Sequence, residues 1–186
     1  MRRIVPLLAA AALAACSLPA LAQKVRLATS AGDIVIEMEA EKAPKTVANF
    51  LQYVKAGHYD GTIFHRVIEN FMIQGGGYTA ELKQKPTRAP IELESRTGLS
   101  NRRGTVAMAR TADPNSATAQ FFINVQDNAF LDQPNARDGQ GYAVFAKVVA
   151  GMDVVDRIRS VPTRAAGMQQ NLPATPVTID KATVEK

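Results

Sequence analysis

The chain has 186 residues, 46% hydrophobic, 21% charged and 6% aromatic, a balance that excludes collagen-like, coiled-coil and disordered architectures and suits one globular domain. Lysine and arginine outnumber aspartate and glutamate by 22 to 17, a net charge of +5, but the basic residues are scattered and not clustered with aromatics, which argues against a nucleic-acid footprint. Beyond the N-terminus no apolar run reaches the roughly 18 residues that a membrane span needs.

Residues 1–22 read as an export signal that is removed, leaving 23–186 as one functional domain. Arg2 and Arg3 form a charged start, and Ile4 opens an apolar stretch that runs to Ala15. Pro19 then breaks the helix ahead of Ala20, Leu21 and Ala22, whose small residues at alternate positions suit a signal peptidase. Cleavage after Ala22 leaves Gln23 first, with 20 basic against 17 acidic side chains. A second processing reading stays open. Leu13-Ala14-Ala15-Cys16 has the form of a bacterial lipobox, in which Cys16 is lipidated and becomes the new N-terminus, and Ser17 would then favour the outer membrane. Against it, only seven residues, 17–23, would separate the lipid from the first strand. The expected location is therefore the periplasm, as a soluble monomer, with an outer-membrane lipoprotein as the alternative. Cys16 is the only cysteine, so the mature domain has no thiol nucleophile, disulfide or thiolate metal cluster.

In the mature chain the periodicity is mostly that of strands. Val25 and Leu27, then Ile34, Ile36 and Met38, alternate with polar neighbours around Ser30-Ala31-Gly32-Asp33, which predicts a hairpin with one buried face. From 44 to 56 the period changes: Val47, Phe50, Leu51 and Val54 follow an i, i+3, i+4, i+7 pattern, with Pro44 in the first turn and Gly57 past the end, which predicts an amphipathic helix. Strands follow at 63–67, 71–74, 105–109, 120–125, 142–149 and 177–184, with a short helix at 152–159. Gly75-Gly76-Gly77 reads as a tight turn, and 78–103, 112–119 and 133–141 as loops. About eight strands and two helices without strand–helix alternation predict a closed eight-stranded antiparallel β-barrel capped by two α-helices, since closure removes exposed edges.

Most catalytic chemistries find no support. His58 and His65 have no cysteine or spaced carboxylates beside them to complete a tetrahedral metal site. The glycine triplet lacks the Gly-Lys-Ser/Thr ending of a phosphate loop, and no Gly-x-Ser-x-Gly elbow occurs. Neither a metal nor another cofactor is expected. What stands out is polarity inside apolar strands: Arg66 lies between apolar runs and Gln74 ends the next. On pattern alone Arg66 reads equally as a surface arginine of an edge strand, and Met72 and Phe122 read as ordinary core.

These residues carry a resemblance. Phe64-His65-Arg66-Val67-Ile68-Glu69-Asn70-Phe71-Met72-Ile73-Gln74-Gly75-Gly76, then Gly104-Thr105-Val106-Ala107-Met108-Ala109-Arg110, Ser116-Ala117-Thr118-Ala119-Gln120-Phe121-Phe122-Ile123-Asn124 and Phe130-Leu131-Asp132 resemble cyclophilin-type peptidyl-prolyl cis-trans isomerases in order. The ending Gly141-Tyr142-Ala143-Val144-Phe145-Ala146-Lys147-Val148 is most similar to the bacterial periplasmic rotamase A branch. The resemblance implies an eight-stranded barrel and an enzyme that accelerates rotation about Xaa-Pro bonds in folding, exported polypeptides. It also implies Arg66 and Gln74 as the catalytic pair, an apolar proline pocket of Phe71, Met72, Phe122 and Leu131, and a peptide groove lined by Ala109, Arg110 and Gln120. Arg110 stands where asparagine is usual, Phe130 where a tryptophan commonly meets cyclosporin-type ligands, and Tyr142 where histidine is usual, so these departures bear on ligand preference.

Such a residue set is sufficient for the chemistry. Resonance gives the prolyl C–N bond a rotational barrier of about 18–20 kcal/mol, and uncatalysed exchange takes tens to hundreds of seconds. At the twisted transition state the prolyl nitrogen regains a lone pair that a guanidinium can hydrogen-bond, and this contact is weak or absent in the planar ground state. Arginine suits the task because it stays charged and presents its donors in a rigid fork. His65 has no evident part in a reaction without proton transfer and reads as structural. Two other functions remain open on the residues alone: a proline-segment binding module without turnover, which would not need a transition-state donor, and a barrel carrying a small apolar ligand, for which the groove is too polar.

Overall fold

The computed structural model describes residues 23–167 and 169–185; the expected signal segment and Cys16 lie outside the described residues. Two strands, β1 (Lys24–Thr29) and β2 (Gly32–Met38), form the expected hairpin. They are followed by α1 (Pro44–Lys55), β3 (Thr62–Ile68), β4 (Met72–Thr79), β5 (Thr105–Met108), β6 (Phe121–Asn124), a single 3-10 turn (Ala129–Leu131), β7 (Val144–Ala150), α2 (Met152–Arg159), β8 (Thr163–Ala166), β9 (Gln169–Pro173) and β10 (Thr178–Glu185). Eight strands close an antiparallel barrel in the order β1-β10-β3-β4-β6-β5-β7-β2, and β8 and β9 form a separate hairpin.

Helix α1 begins with Pro44 in the first turn, where a missing N–H costs nothing, and buries Val47, Phe50, Leu51 and Val54 against the barrel. It has no acidic residue of its own in the first turn. Instead Glu94, from the long segment after β4, accepts hydrogen bonds from the backbone N–H groups of Lys45 (3.2 Å) and Thr46 (2.8 Å), supplying both partners and negative charge to the helix start. A polar segment that looks structureless in the sequence thus caps a helix.

The barrel has two apolar clusters, one inside and one on its outer wall. Phe64, Val67, Ile73, Val106, Phe121, Ile123 and Phe145 belong to the interior. Their strand neighbours Met72, Ala107, Phe122 and Val144 point the other way and join Leu131 in a second cluster. Both faces of these strands are therefore covered, which is why 71–73 and 121–123 are apolar throughout instead of alternating.

Two features differ from the expectation. The glycine triplet is not a turn; Gly75, Gly76 and Gly77 lie within β4. They are there because neighbours approach too closely for a side chain. A Cβ on Gly77 would stand 2.6 Å from the Gln120 side chain, and one on Gly76, at φ +83°, would stand 2.8 Å from the Tyr59 ring. The second difference is the β8–β9 hairpin. Its residues are mostly exposed and carry no apolar alternation, and only Leu172 and Pro173 are buried, so periodicity could not reveal it.

Candidate active site

Strand register builds the site on the outer wall. Arg66 on β3 pairs with Gln74 on β4, Gln74 pairs with Phe122 on β6, and Phe122 pairs with Ala107 on β5. Residues directly opposed across a ladder project to the same face, so one row runs from a guanidinium through an amide to an aromatic ring. Met72, two positions before Gln74, shares that face.

The row opens into a cavity of about 210 Å³. Met72, Phe122 and Leu131 form its floor and are nearly inaccessible, while Phe71, Ala109 and Tyr142 form the sides. Its polar edge is Arg66, Gln74 and Arg110. Nine of the eleven residues expected at the site therefore line one concavity.

The remaining two stand next to it. Gln120 lies behind Gln74: Gln74 Nε2 donates to Gln120 Oε1 at 3.0 Å, which leaves Gln74 Oε1 to accept from Arg66 Nη1 at a loose 3.4 Å. The guanidinium carbon of Arg66 also stands 5.9 Å from the centre of the Phe71 ring. Among the described residues Arg66 has no carboxylate partner, so its donors remain available to a ligand. Phe130 is 55% exposed and stacks on Phe71 with ring centres 5.6 Å apart, so it forms the rim and not the pocket wall.

Arg110 behaves differently from Arg66. Its side chain is only 2% exposed, and each of its three nitrogens is hydrogen-bonded within the protein. Nε and Nη2 donate to the Gly141 carbonyl at 3.1 and 2.8 Å, Nη1 donates to the Thr111 carbonyl at 3.0 Å, and Nη2 also meets Asp138. The guanidinium lies 4.6 Å from the centre of the Tyr142 ring. Hydrogen bonding to Arg110, with backbone N–H groups of Gln140 and Gly141, holds the Asp138 carboxyl down at about 2. Arg110 thus shapes the groove while spending its charge within the protein.

Beneath the site lies a buried polar network that the sequence reading did not single out. Asn128 Nδ2 donates to the Phe71 carbonyl and to Asn124 Oδ1, both at 2.8 Å. Asn124 Nδ2 donates to Thr105 Oγ1 at 2.9 Å and Asn101 Oδ1 at 3.2 Å. Asp132 accepts from the backbone and side-chain nitrogens of Asn101 at 2.7 and 2.8 Å, and from the Ser100 hydroxyl at 2.5 Å. These bonds tie the segments carrying Phe71 and Leu131 to one another. Isolated asparagines are turn residues by default, and only Asn124, at the end of an apolar run, carried a sequence signal.

His65 sits beside the row of Arg66, Gln74 and Phe122 but faces away from solvent. Its ring centre is 4.7 Å from that of Tyr78, and Nδ1 has no hydrogen-bond partner among the described residues. Burial, with a smaller contribution from the neighbouring Arg66 charge, lowers its pKa to about 4.

A barrel that carries a guanidinium without a carboxylate partner among the described residues, beside an apolar pocket, defines a class of proteins that can seat an apolar group next to a charged hydrogen-bond donor. Comparison with known proteins narrows the class. Residues 24–184 match the family model of the cyclophilin type peptidyl-prolyl cis-trans isomerases, and the chain belongs to that family. It is 58% identical to peptidyl-prolyl cis-trans isomerase cyp18 of Streptomyces antibioticus, over 86% of this chain and 97% of that one. It is 54% identical to isomerase A of Dickeya dadantii, over 87% of this chain and 84% of the relative. Isomerase B of Escherichia coli is 56% identical, over 85% and 97%. Among solved structures, a cyclophilin type isomerase of Cryptosporidium parvum, determined in the presence of the dipeptide Ala-Pro, superposes with a TM-score of 0.73 at 26% identity, covering 88% of this chain and 99% of that one. The protein is accordingly a peptidyl-prolyl cis-trans isomerase, acting on Xaa-Pro bonds of polypeptides.

Proposed function

We propose that Arg66 is the catalytic residue of this isomerase, that Gln74 orients it, and that the substrates are polypeptides folding in the periplasm. The observation that carries the catalytic assignment is the contrast between the two pocket arginines: Arg110 is fully engaged by carbonyls and Asp138, whereas Arg66 has one loose bond to Gln74.

The proline ring enters the cavity against Met72, Phe122 and Leu131 and is held there while the preceding carbonyl swings. Rotation destroys amide resonance, the prolyl nitrogen becomes pyramidal, and Arg66 donates to the lone pair that emerges. Because the lone pair is unavailable in the planar amide, the contact favours the transition state over the ground state. Gln74, itself anchored by Gln120, limits the rotamers of Arg66, so little reorganisation is needed as the bond twists. Phe71, Ala109, Arg110, Phe130 and Tyr142 bound the groove on either side of the proline. No proton moves and no covalent bond breaks.

Support for the periplasmic assignment, and for the rotamase A branch, lies in the N-terminal segment: Arg2 and Arg3, the apolar stretch, and Ala20-Leu21-Ala22. The family match begins at residue 24, just after the proposed cleavage point. The mature enzyme is proposed to be a soluble monomer. Mass spectrometry of protein from a bacterial periplasm is expected to find Gln23 at the N-terminus; a diacylglyceryl mass on Cys16 would select the lipoprotein form instead. Isomerisation of a short Ala-Xaa-Pro peptide tests the catalytic assignment, with Arg66→Ala as the comparison.

A further inference from the structure

Next to the proline pocket lies a second concavity of about 560 Å³, lined by Phe130, Leu131, Ala136, Arg137, Asp138 and Tyr142. It shares Leu131 and Tyr142 with the first. We propose that it is a substrate subsite that takes a large apolar side chain, such as leucine or phenylalanine, two residues from the proline in the same polypeptide. The proposal rests on the isomerase reading and adds a sequence preference to it.

Four observations support it. The first is chemical: Phe130, Leu131, Ala136 and Tyr142 present carbon to the concavity. The one carboxylate, Asp138, is committed to Arg110 and two backbone N–H groups, so the site offers little to a cation. Second, Phe130 is one of only two large hydrophobic residues exposed among the described residues. An exposed aromatic held fixed by a neighbouring ring, as Phe130 is by Phe71, is what a binding surface presents before its ligand arrives.

Third, the loop that forms the far wall is already ordered. Ala136 N donates to the Asp132 carbonyl at 2.8 Å, Gly139 N to the Ala136 carbonyl at 2.7 Å, and Tyr142 N to the Leu131 carbonyl at 3.0 Å. Gly141, at φ +71°, closes the loop so tightly that a Cβ there would stand 2.6 Å from Gln133 N, and Arg110 clamps its carbonyl. A preformed wall saves the ligand the cost of ordering it. Fourth, the spacing fits. Alternate side chains of an extended peptide lie on one face about 7 Å apart, and the two concavities adjoin, with Leu131 and Tyr142 lining both.

The test uses two series of peptides with alanine flanking a single proline, one series varying the residue two positions before it and the other the residue two positions after it. Leucine is compared with serine by NMR exchange. In one series the leucine peptide is expected to show about tenfold higher kcat/KM, mainly through KM, since burying much of a leucine is worth roughly this factor. Amide resonances of Ala136 and Arg137 should shift with that peptide and not with its serine counterpart. Ala136→Trp, which fills the concavity, should reduce the ratio to near one; should that variant fail to fold, the resonance shifts decide. Equal kcat/KM for leucine and serine in both series, with unshifted Ala136 and Arg137, would overturn the subsite while normal turnover of the serine peptides leaves the isomerase reading intact. Absence of turnover for every peptide would instead remove the reading on which the subsite rests.

Discussion

Replacing Arg66 by alanine separates catalysis from stability. The side chain is bonded to the rest of the protein by one 3.4 Å contact to Gln74 and lies at the open edge of the cavity, with no ion pair among the described residues to lose. Gln74 keeps its bond to Gln120, and its freed oxygen can be reached by water. The expected change in stability is that of a surface substitution, within about 0.5 kcal/mol, or about 1–2 °C in Tm for a domain of this size. The transition state loses much more. Removing one preorganised donor aimed at an atom whose electron density changes in the reaction costs about 2.7–4 kcal/mol, a 10²- to 10³-fold loss. Arg66→Lys keeps the charge but not the fork, and is expected to recover little. The assay is kcat/KM for a short Xaa-Pro peptide together with a thermal melt of the same sample. Activity within fivefold of wild type would refute the mechanism. So would a fall in Tm of 10 °C or more, which would mean that Arg66 acts through the fold.

Phe122→Ala removes a ring that is 4% exposed from the pocket floor; it should cost about 3 kcal/mol and about 10 °C in Tm, and raise KM more than it lowers kcat, whereas an unchanged KM would remove Phe122 from the pocket. His65 makes stability depend on pH. Its pKa is about 4 in the native state against about 6.5 unfolded, so between these values the unfolded chain binds the proton that the native state resists. Stability should therefore fall as pH drops from 6.5 to 4, by about 3 kcal/mol, and denaturant titrations of His65→Gln that ran parallel to wild type across that window would contradict this. Phe130 has no indole N–H to offer, and a ligand carbonyl left unpaired costs about 1–3 kcal/mol, so Phe130→Trp should tighten cyclosporin binding roughly 5- to 150-fold. Equal affinities in calorimetric titrations would refute its role.

Much of the architecture could be read from periodicity and punctuation. The β1–β2 hairpin follows from alternation around a short turn, and α1 from its four-residue apolar stripe between Pro44 and Gly57. Local pattern is sufficient there because each element buries one face and its neighbours are close in the chain. Arg66 and Gln74 were conspicuous for the opposite reason, as polar groups breaking apolar runs. The β8–β9 hairpin was not legible because most of its side chains meet solvent, where the ladder rather than the side-chain pattern holds the strands.

Sequence by itself determined which residue types were available: an arginine, glutamines and apolar rings on strands that would close into a barrel. Tertiary structure alone decided which of them can act. Two arginines line the same pocket, and although Arg66 stands out between apolar runs, nothing along the chain says which of the two charges is free. Only the fold brings Gly141 and Asp138 onto Arg110, 31 and 28 residues away, and leaves Arg66 at the pocket edge with one loose bond to Gln74. Likewise, Gly75-Gly76-Gly77 has the composition of a turn, yet it is a strand because Gln120 and Tyr59 press against it from distant parts of the chain. The availability of a charge and the space for a Cβ are set by atoms remote in sequence, and local pattern contains no record of them.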